Sequence, residues 1–117
     1  MERYVIGLDY GSDSVRAVLV DTADGRVLAH KVHPYSRWSR GLYCDPAKNQ
    51  FRQHPLDYLE GLEVTVHAVL AACPGAAAQV IGIGIDTTGS TPCLVDAAGM
   101  PLSLSPEFAD NPNAMFV

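Results

Sequence analysis

The chain has 117 residues, 48% hydrophobic and 18% charged, with a formal net charge of -5; this is the size and core-forming content of one ordinary globular domain. Its acidic residues are scattered and no basic block exists, which argues against nucleic acid as a partner. No stretch approaches the ~20 apolar residues that a bilayer span requires, and Met1-Glu2-Arg3 leads straight into a strand-like run instead of a signal peptide's apolar segment, so a cytoplasmic protein is expected.

Tyr4 to Asp9 is apolar-rich with β-branched members, and after Gly11-Ser12-Asp13-Ser14 a second such run, Val15 to Val20, follows at once. Asp21-Thr22-Ala23-Asp24-Gly25 supplies another turn, and Arg26 to Val32 alternates as a third strand. These residues predict a three-stranded antiparallel meander. Pro34 to Asn49 has no sustained period and is expected to be an ordered loop in which Trp38 and Tyr43 pack. Pro55 suits the first turn of a helix, along which Leu59, Leu62, Val66, Val69, Leu70 and Cys73 recur at three- and four-residue steps until Pro74-Gly75 ends it. Val80 to Ile85 reads as a buried strand whose Gly82 and Gly84 admit a close neighbour. Pro92–Val95 and Met100–Leu104, around Asp96-Ala97-Ala98-Gly99, are expected to form a β-hairpin, and no periodicity survives beyond Ser105.

The order is therefore β-β-β-α-β followed by a hairpin, an α/β arrangement. A helix joining two strands of one sheet makes a right-handed crossover in nearly all proteins, which lets the Val80 strand return parallel beside the first and sets Asp9 near Asp86. Cys44, Cys73 and Cys93 form no Cys-x-x-Cys pair, and His30, His33, His54 and His67 form no i, i+4 pair, so reduced thiols are expected and a metal cluster is not.

Two segments carry chemistry. Asp9-Tyr10-Gly11-Ser12-Asp13-Ser14-Val15-Arg16 lies between two strands, where backbone N–H groups can turn around an anion. Gly11 permits close approach, Ser12 and Ser14 add hydroxyls, Arg16 adds a cation, and Asp9 at the strand end could hold Mg²⁺ through water. Asp86-Thr87-Thr88-Gly89-Ser90-Thr91-Pro92 gathers short donors and acceptors that suit a polyhydroxylated ligand. Taken singly, the first is also an ordinary hairpin turn and the second a solvated loop capped by threonines. Their pairing at the carboxyl ends of neighbouring parallel strands, where open sheets bind ligands, favours a site.

The stretch Ile6 to Arg16, with Arg37-Trp38, Cys44-Asp45, Asn49 to Pro55, Asp57-Tyr58, Gly82 to Pro92, Pro106 to Ala109 and Asn111 to Met115, resembles the FGGY carbohydrate kinases and, within them, the bacterial L-ribulokinase branch. The first phosphate motif is shared with many actin-like ATPases; the Thr-Thr-Gly-Ser-Thr-Pro loop with Asn-Pro-Asn-Ala-Met is more specific. The resemblance implies the ribonuclease H-like, actin-like ATPase fold and transfer of the γ-phosphoryl of MgATP to the 5-hydroxyl of L-ribulose in arabinose breakdown. It implies Asp9 as the Mg²⁺-side carboxylate, Gly11, Ser12, Asp13, Ser14 and Arg16 on the phosphates, and Asp86, Thr88, Gly89 and Ser90 toward the sugar. Family chains run several times longer, so residues 1–117 are expected to be the N-terminal part of the first kinase domain. The general base, second phosphate motif and adenosine pocket are expected after Val117, leaving this stretch inactive alone. Xylulose or glycerol as the substrate, and a non-catalytic nucleotide- or sugar-binding module, are the alternatives. An unpaired sheet edge left by such a part is expected to promote self-association.

Overall fold

The computed structural model describes residues 1–117. β1 (Tyr4–Tyr10), β2 (Ser14–Asp21) and β3 (Val27–Pro34) form the expected meander, and β4 (Val80–Thr87) returns to give a four-stranded sheet in the order β3-β2-β1-β4. β1 pairs antiparallel with β2 and parallel with β4. Alternation then divides the sheet into two faces. One face carries Tyr4, Ile6, Leu8 and Tyr10 of β1 with Val15, Ala17 and Leu19 of β2, all buried.

α1 (Pro55–Ala72) covers that face, lying over β2 and β3. Pro55 stands in the first helical turn, where its missing N–H costs nothing, and Gly75 at φ 83° starts the chain back toward β4. The innermost line of α1 is not the leucine stripe that the spacing suggests. Asp57, Gly61, Thr65 and Val69, at four-residue steps, are the buried positions, while Leu62, Val66, Leu70 and Cys73 flank the core and Leu59 is 54% exposed. Small residues let the helix approach the sheet closely: a Cβ on Gly61 would sit 2.4 Å from Val15 Cγ1.

The connection from β3 to α1 is ordered, with one short helical turn at Ser36–Ser39 and a 3₁₀ turn at Pro46–Lys48. Its anchor is Asp57, fully buried, whose carboxylate accepts from the backbone N–H of Arg37 (3.2 Å) and of Trp38 (3.2 Å) and pairs with the Arg37 guanidinium at 2.9 Å. Trp38 packs against the core, and Tyr43 tilts against His54 with ring centres 5.7 Å apart.

Two expectations are corrected. β4 is not buried: Ile81, Ile83 and Ile85 are 62%, 55% and 62% exposed, and nothing lies within 4 Å of where a Cβ on Gly82 or Gly84 would stand. The isoleucines share the helix-covered face, Ile83 and Ile85 in register with Ile6 and Leu8, but α1 lies over β2 and β3 and leaves them bare. The hairpin of residues 92–104 is reduced to one bridge, Val95 with Pro101, made by the Leu102 N–H donating to the Leu94 carbonyl (3.0 Å) and the Asp96 N–H to the Met100 carbonyl (2.9 Å). Pro92 and Pro101 have no N–H to give a ladder, and Leu102–Leu104 coils into a 3₁₀ turn. Two further 3₁₀ turns, Pro106–Phe108 and Pro112–Ala114, follow, and the chain then pairs Phe116 with Gln53.

Candidate functional site

β1 and β4 run parallel, so the turn after β1 and the loop after β4 leave the sheet at the same end. In the register, Asp9 stands beside Asp86 on one side and Arg16 on the other. The three share the face opposite α1 and line an open hollow of about 360 Å³, floored by Gly7 and Gly84. Bare glycines keep that floor low; a Cβ on Gly7 would press to 3.1 Å from Val18 Cγ2. The Asp86 carboxyl is raised from its ordinary value, first by hydrogen bonding with Asp9, then by loss of water, and last by the Asp9 charge. Arg16 makes no ion pair within 4 Å, and its guanidinium stays exposed.

The turn Gly11–Ser14 is closed by the Gly11 N–H donating to the Ser14 carbonyl at 2.8 Å. Its other carbonyls are held from behind. The Tyr35 hydroxyl donates to the Gly11 oxygen (2.9 Å), the Gln53 side-chain amide donates to the Gly11 and Ser12 oxygens (3.3 and 2.7 Å), and the Tyr35 N–H donates to the Asp13 oxygen (2.9 Å). The backbone N–H groups of Ser12 and Asp13, on exposed residues, donate to no protein acceptor. Asp13 and Ser14 face a second hollow, of about 500 Å³, with Val32, Pro34, Trp38 and Ser39.

Behind the turn Tyr58 is stacked between Tyr10 and Phe116, with ring centres 4.5 Å from each, and its hydroxyl donates to Gln53 Oε1 at 2.9 Å. Burial raises the Tyr58 phenol, while hydrogen bonding to Tyr35 and to Thr88 pulls it back. Nothing in the sequence assigns Gln53, Tyr35 or Tyr58 a role. The contacts of Tyr35 and Gln53 with the turn span 22 to 42 residues of chain, and local spacing carries no signal over such a separation; Gln53 and Tyr58 show only as parts of the family-like stretches.

The loop after β4 is folded on its own hydroxyls. Thr88 and Thr91 join Oγ1 to Oγ1 at 2.8 Å, Thr91 also donates to the Thr88 carbonyl, and Ser90 takes a left-handed φ of 56°. Gly89 and Ser90 are exposed, and the Val117 N–H ties the loop at the Pro92 carbonyl (3.1 Å). Asp9, Arg16 and Asp86 thus meet in one hollow, Gly11 to Ser14 cap the end of β1, and Thr88 to Ser90 stand at the end of β4 outside that hollow.

No protein-family model matches the chain. It is 54% identical over 117 residues to a ribulokinase of Vibrio parahaemolyticus, covering 99% of this chain and 21% of that protein. To a ribulokinase of Halalkalibacterium halodurans it is 41% identical, over 96% of this chain and 21% of that one. Among solved structures, a xyloylose kinase from Brucella ovis matches 83% of the chain and 19% of its own length, with a TM-score of 0.65 and 24% identity. A gluconate kinase from Lactobacillus acidophilus matches 85% and 18%, with a TM-score of 0.68 and 15% identity. The chain therefore spans about a fifth of the length of the curated relatives it matches.

A sheet of this order, with facing turns at the ends of two parallel strands, is a portion of the actin-like ATPase fold of sugar kinases. In sequence the chain is similar, along nearly its whole length, to about a fifth of each of these ribulokinases.

Proposed function

We propose that these residues form the opening part of the first domain of a cytoplasmic kinase that phosphorylates L-ribulose at its 5-hydroxyl, and that they contribute the grip on the ATP phosphates and part of the sugar surface. The observation that carries this reading is the adjacency of a turn with two unengaged N–H groups to the Asp9–Asp86 carboxylate pair. The donor set suits the group: free amides and the Ser12 and Ser14 hydroxyls match phosphate oxygens, and the Asp9 carboxylate at the end of β1 matches a divalent cation.

In this scheme the Ser12 and Asp13 amides and the two hydroxyls donate to phosphate oxygens, and Gly11 keeps the backbone low beneath them. Arg16 presents a cation across the hollow from Asp86. Asp9 is the carboxylate on the Mg²⁺ side, and Asp86, Thr88, Gly89 and Ser90 orient the sugar hydroxyls. Bound MgATP supplies the phosphoryl group, with the metal drawing charge from its oxygens; what these residues add is positioning and charge stabilisation. No residue of this stretch is assigned as the general base, and the 117 residues alone are expected to turn over no ATP.

The test is a ¹⁵N-resolved titration of the chain, first with MgATP and then with L-ribulose. Shifts at Gly11–Ser14 with the nucleotide and at Thr88–Ser90 with the sugar support the reading. Shifts confined to the outer face of α1, or ribulose-dependent ADP release that survives purification away from host kinases, overturn it. A second property, self-association through the edge of β4, is favoured by its three exposed isoleucines and unpaired backbone; light scattering showing a monomer across a wide concentration range refutes it.

A further inference from the structure

Gln53 is buried, 8% exposed, at the foot of the turn, although it sits on the strand-like segment before α1, 41 residues along the chain from Ser12. Its side chain has one orientation that chemistry allows. The Gly11 and Ser12 carbonyl oxygens only accept, so the NH₂ must face them, and Oε1 then receives the Tyr58 hydroxyl at 2.9 Å. The Gln53 backbone is fixed as well, exchanging both hydrogen bonds with Phe116 at 3.2 and 3.0 Å.

A trans peptide unit points its C=O and its N–H in opposite directions. The Gly11 carbonyl and the Ser12 N–H belong to one such unit, and the Ser12 carbonyl and the Asp13 N–H to the next. Holding both carbonyls inward therefore turns both N–H groups outward, which agrees with their having no protein acceptor. Tyr35 shares the Gly11 oxygen, but among protein donors Gln53 alone holds that of Ser12.

We infer that Gln53 is a positioning residue: its amide, oriented by the Tyr58 hydroxyl, sets the two peptide planes that present the Ser12 and Asp13 N–H groups to an anionic ligand. This rests on the phosphate-gripping reading above, and it adds which residue makes the grip possible. Gln53 touches no ligand in this scheme and acts only through the turn.

The experiment compares wild type with Gln53→Glu, which keeps the shape and the acceptor for Tyr58 but sets an oxygen against two carbonyl oxygens, and with Gln53→Met, which removes both polar atoms. Tyr58→Phe removes the hydroxyl that orients Gln53. The readouts are the ligand-free ¹⁵N–¹H positions of Ser12 and Asp13, MgATP affinity, and the denaturation midpoint. Both Gln53 variants are expected to move the Ser12 and Asp13 signals while leaving those of β3 in place, and to weaken MgATP binding about 10-fold, with Tyr58→Phe intermediate. Val69→Ala, a core truncation about four turns along α1, lowers the midpoint yet is expected to bind as wild type does, which separates positioning from general loosening. Unmoved turn signals with wild-type affinity in both Gln53 variants, or affinity that falls equally in Val69→Ala, overturn the inference. Failure of wild type to bind MgATP defeats the phosphate reading instead, and the turn signals still report whether Gln53 sets the two planes.

Discussion

Gly61→Ala sets two effects of opposite sign against each other. An alanine in a helix interior is worth ~1 kcal/mol over glycine by propensity alone. In this fold the added methyl lies 2.4 Å from Val15 Cγ1, about 1 Å inside an ordinary contact. Val15 is fully buried on β2 and its β-branched side chain has one comfortable rotamer, so it cannot swing aside. The helix must then lift from the sheet, loosening the contacts of Thr65 and Val69 as well. Overpacking of this kind costs ~1–3 kcal/mol, so after the propensity gain a net loss of ~0–2 kcal/mol is expected, read as a lower urea midpoint at unchanged slope. Val15→Ala opens the space, and the double variant should be less damaged than the two single losses combined. A Gly61→Ala protein more stable than wild type would refute the close packing of α1 on β2.

Truncating Asp57 to alanine leaves two backbone N–H groups of the 36–39 turn without an acceptor and the Arg37 guanidinium with Glu60 as its remaining partner; a loss of ~2–4 kcal/mol in denaturant unfolding is expected. The Asp86 carboxyl is raised by its Asp9 neighbour, so the folded chain holds more protons than the unfolded one above the usual 3.8, and stability falls as pH climbs through the folded value. Asp86→Asn should therefore raise the melting temperature near neutral pH and leave it unchanged in strong acid, and carboxyl NMR of Asp9→Asn should find Asp86 back toward 3.8. His54 is lowered from 6.5, by burial and then by Arg37, and its Nδ1 accepts the Leu56 N–H at 3.0 Å to cap α1. The cap's contribution is complete above 6.5 and is lost as pH falls through the depressed folded value; His54→Asn, which can still cap, should flatten that dependence in a melting series. Ile83→Lys, placing charge on the bare edge, should lower the apparent mass at high concentration by sedimentation if β4 mediates self-association.

The meander, the long helix and the parallel return of β4 are legible because each rests on local pattern: β-branched runs, turn residues, and the Pro55 and Gly75 boundaries. The neighbourhood of Asp9 and Asp86 follows from the handedness of the crossover. Burial is less legible, because it depends on where α1 lies across the sheet. Ile81, Ile83 and Ile85 alternate like core residues but extend past the helix, and Gly61 outranks Leu59 because closeness to Val15, not apolar spacing, decides which line of α1 goes inside. The prolines at 92 and 101 hold the signal that the hairpin would lack a ladder. Gln53 could not be found from local spacing: its partners lie across the fold, at Gly11, Ser12, Tyr58 and Phe116.

The bare outer strand gives the two loops unequal stiffness. No residue of β4 is among the buried ones and only Val80 at its start packs against the core, so the strand's amides should exchange with deuterium faster than those of β1 and β2. The threonine-rich loop travels with that strand, whereas the glycine turn is clamped by Tyr35 and Gln53. On the function proposed above, a ligand spanning both loops would meet the clamped turn as the stiffer of the two and would order β4 as it engaged the threonine-rich loop.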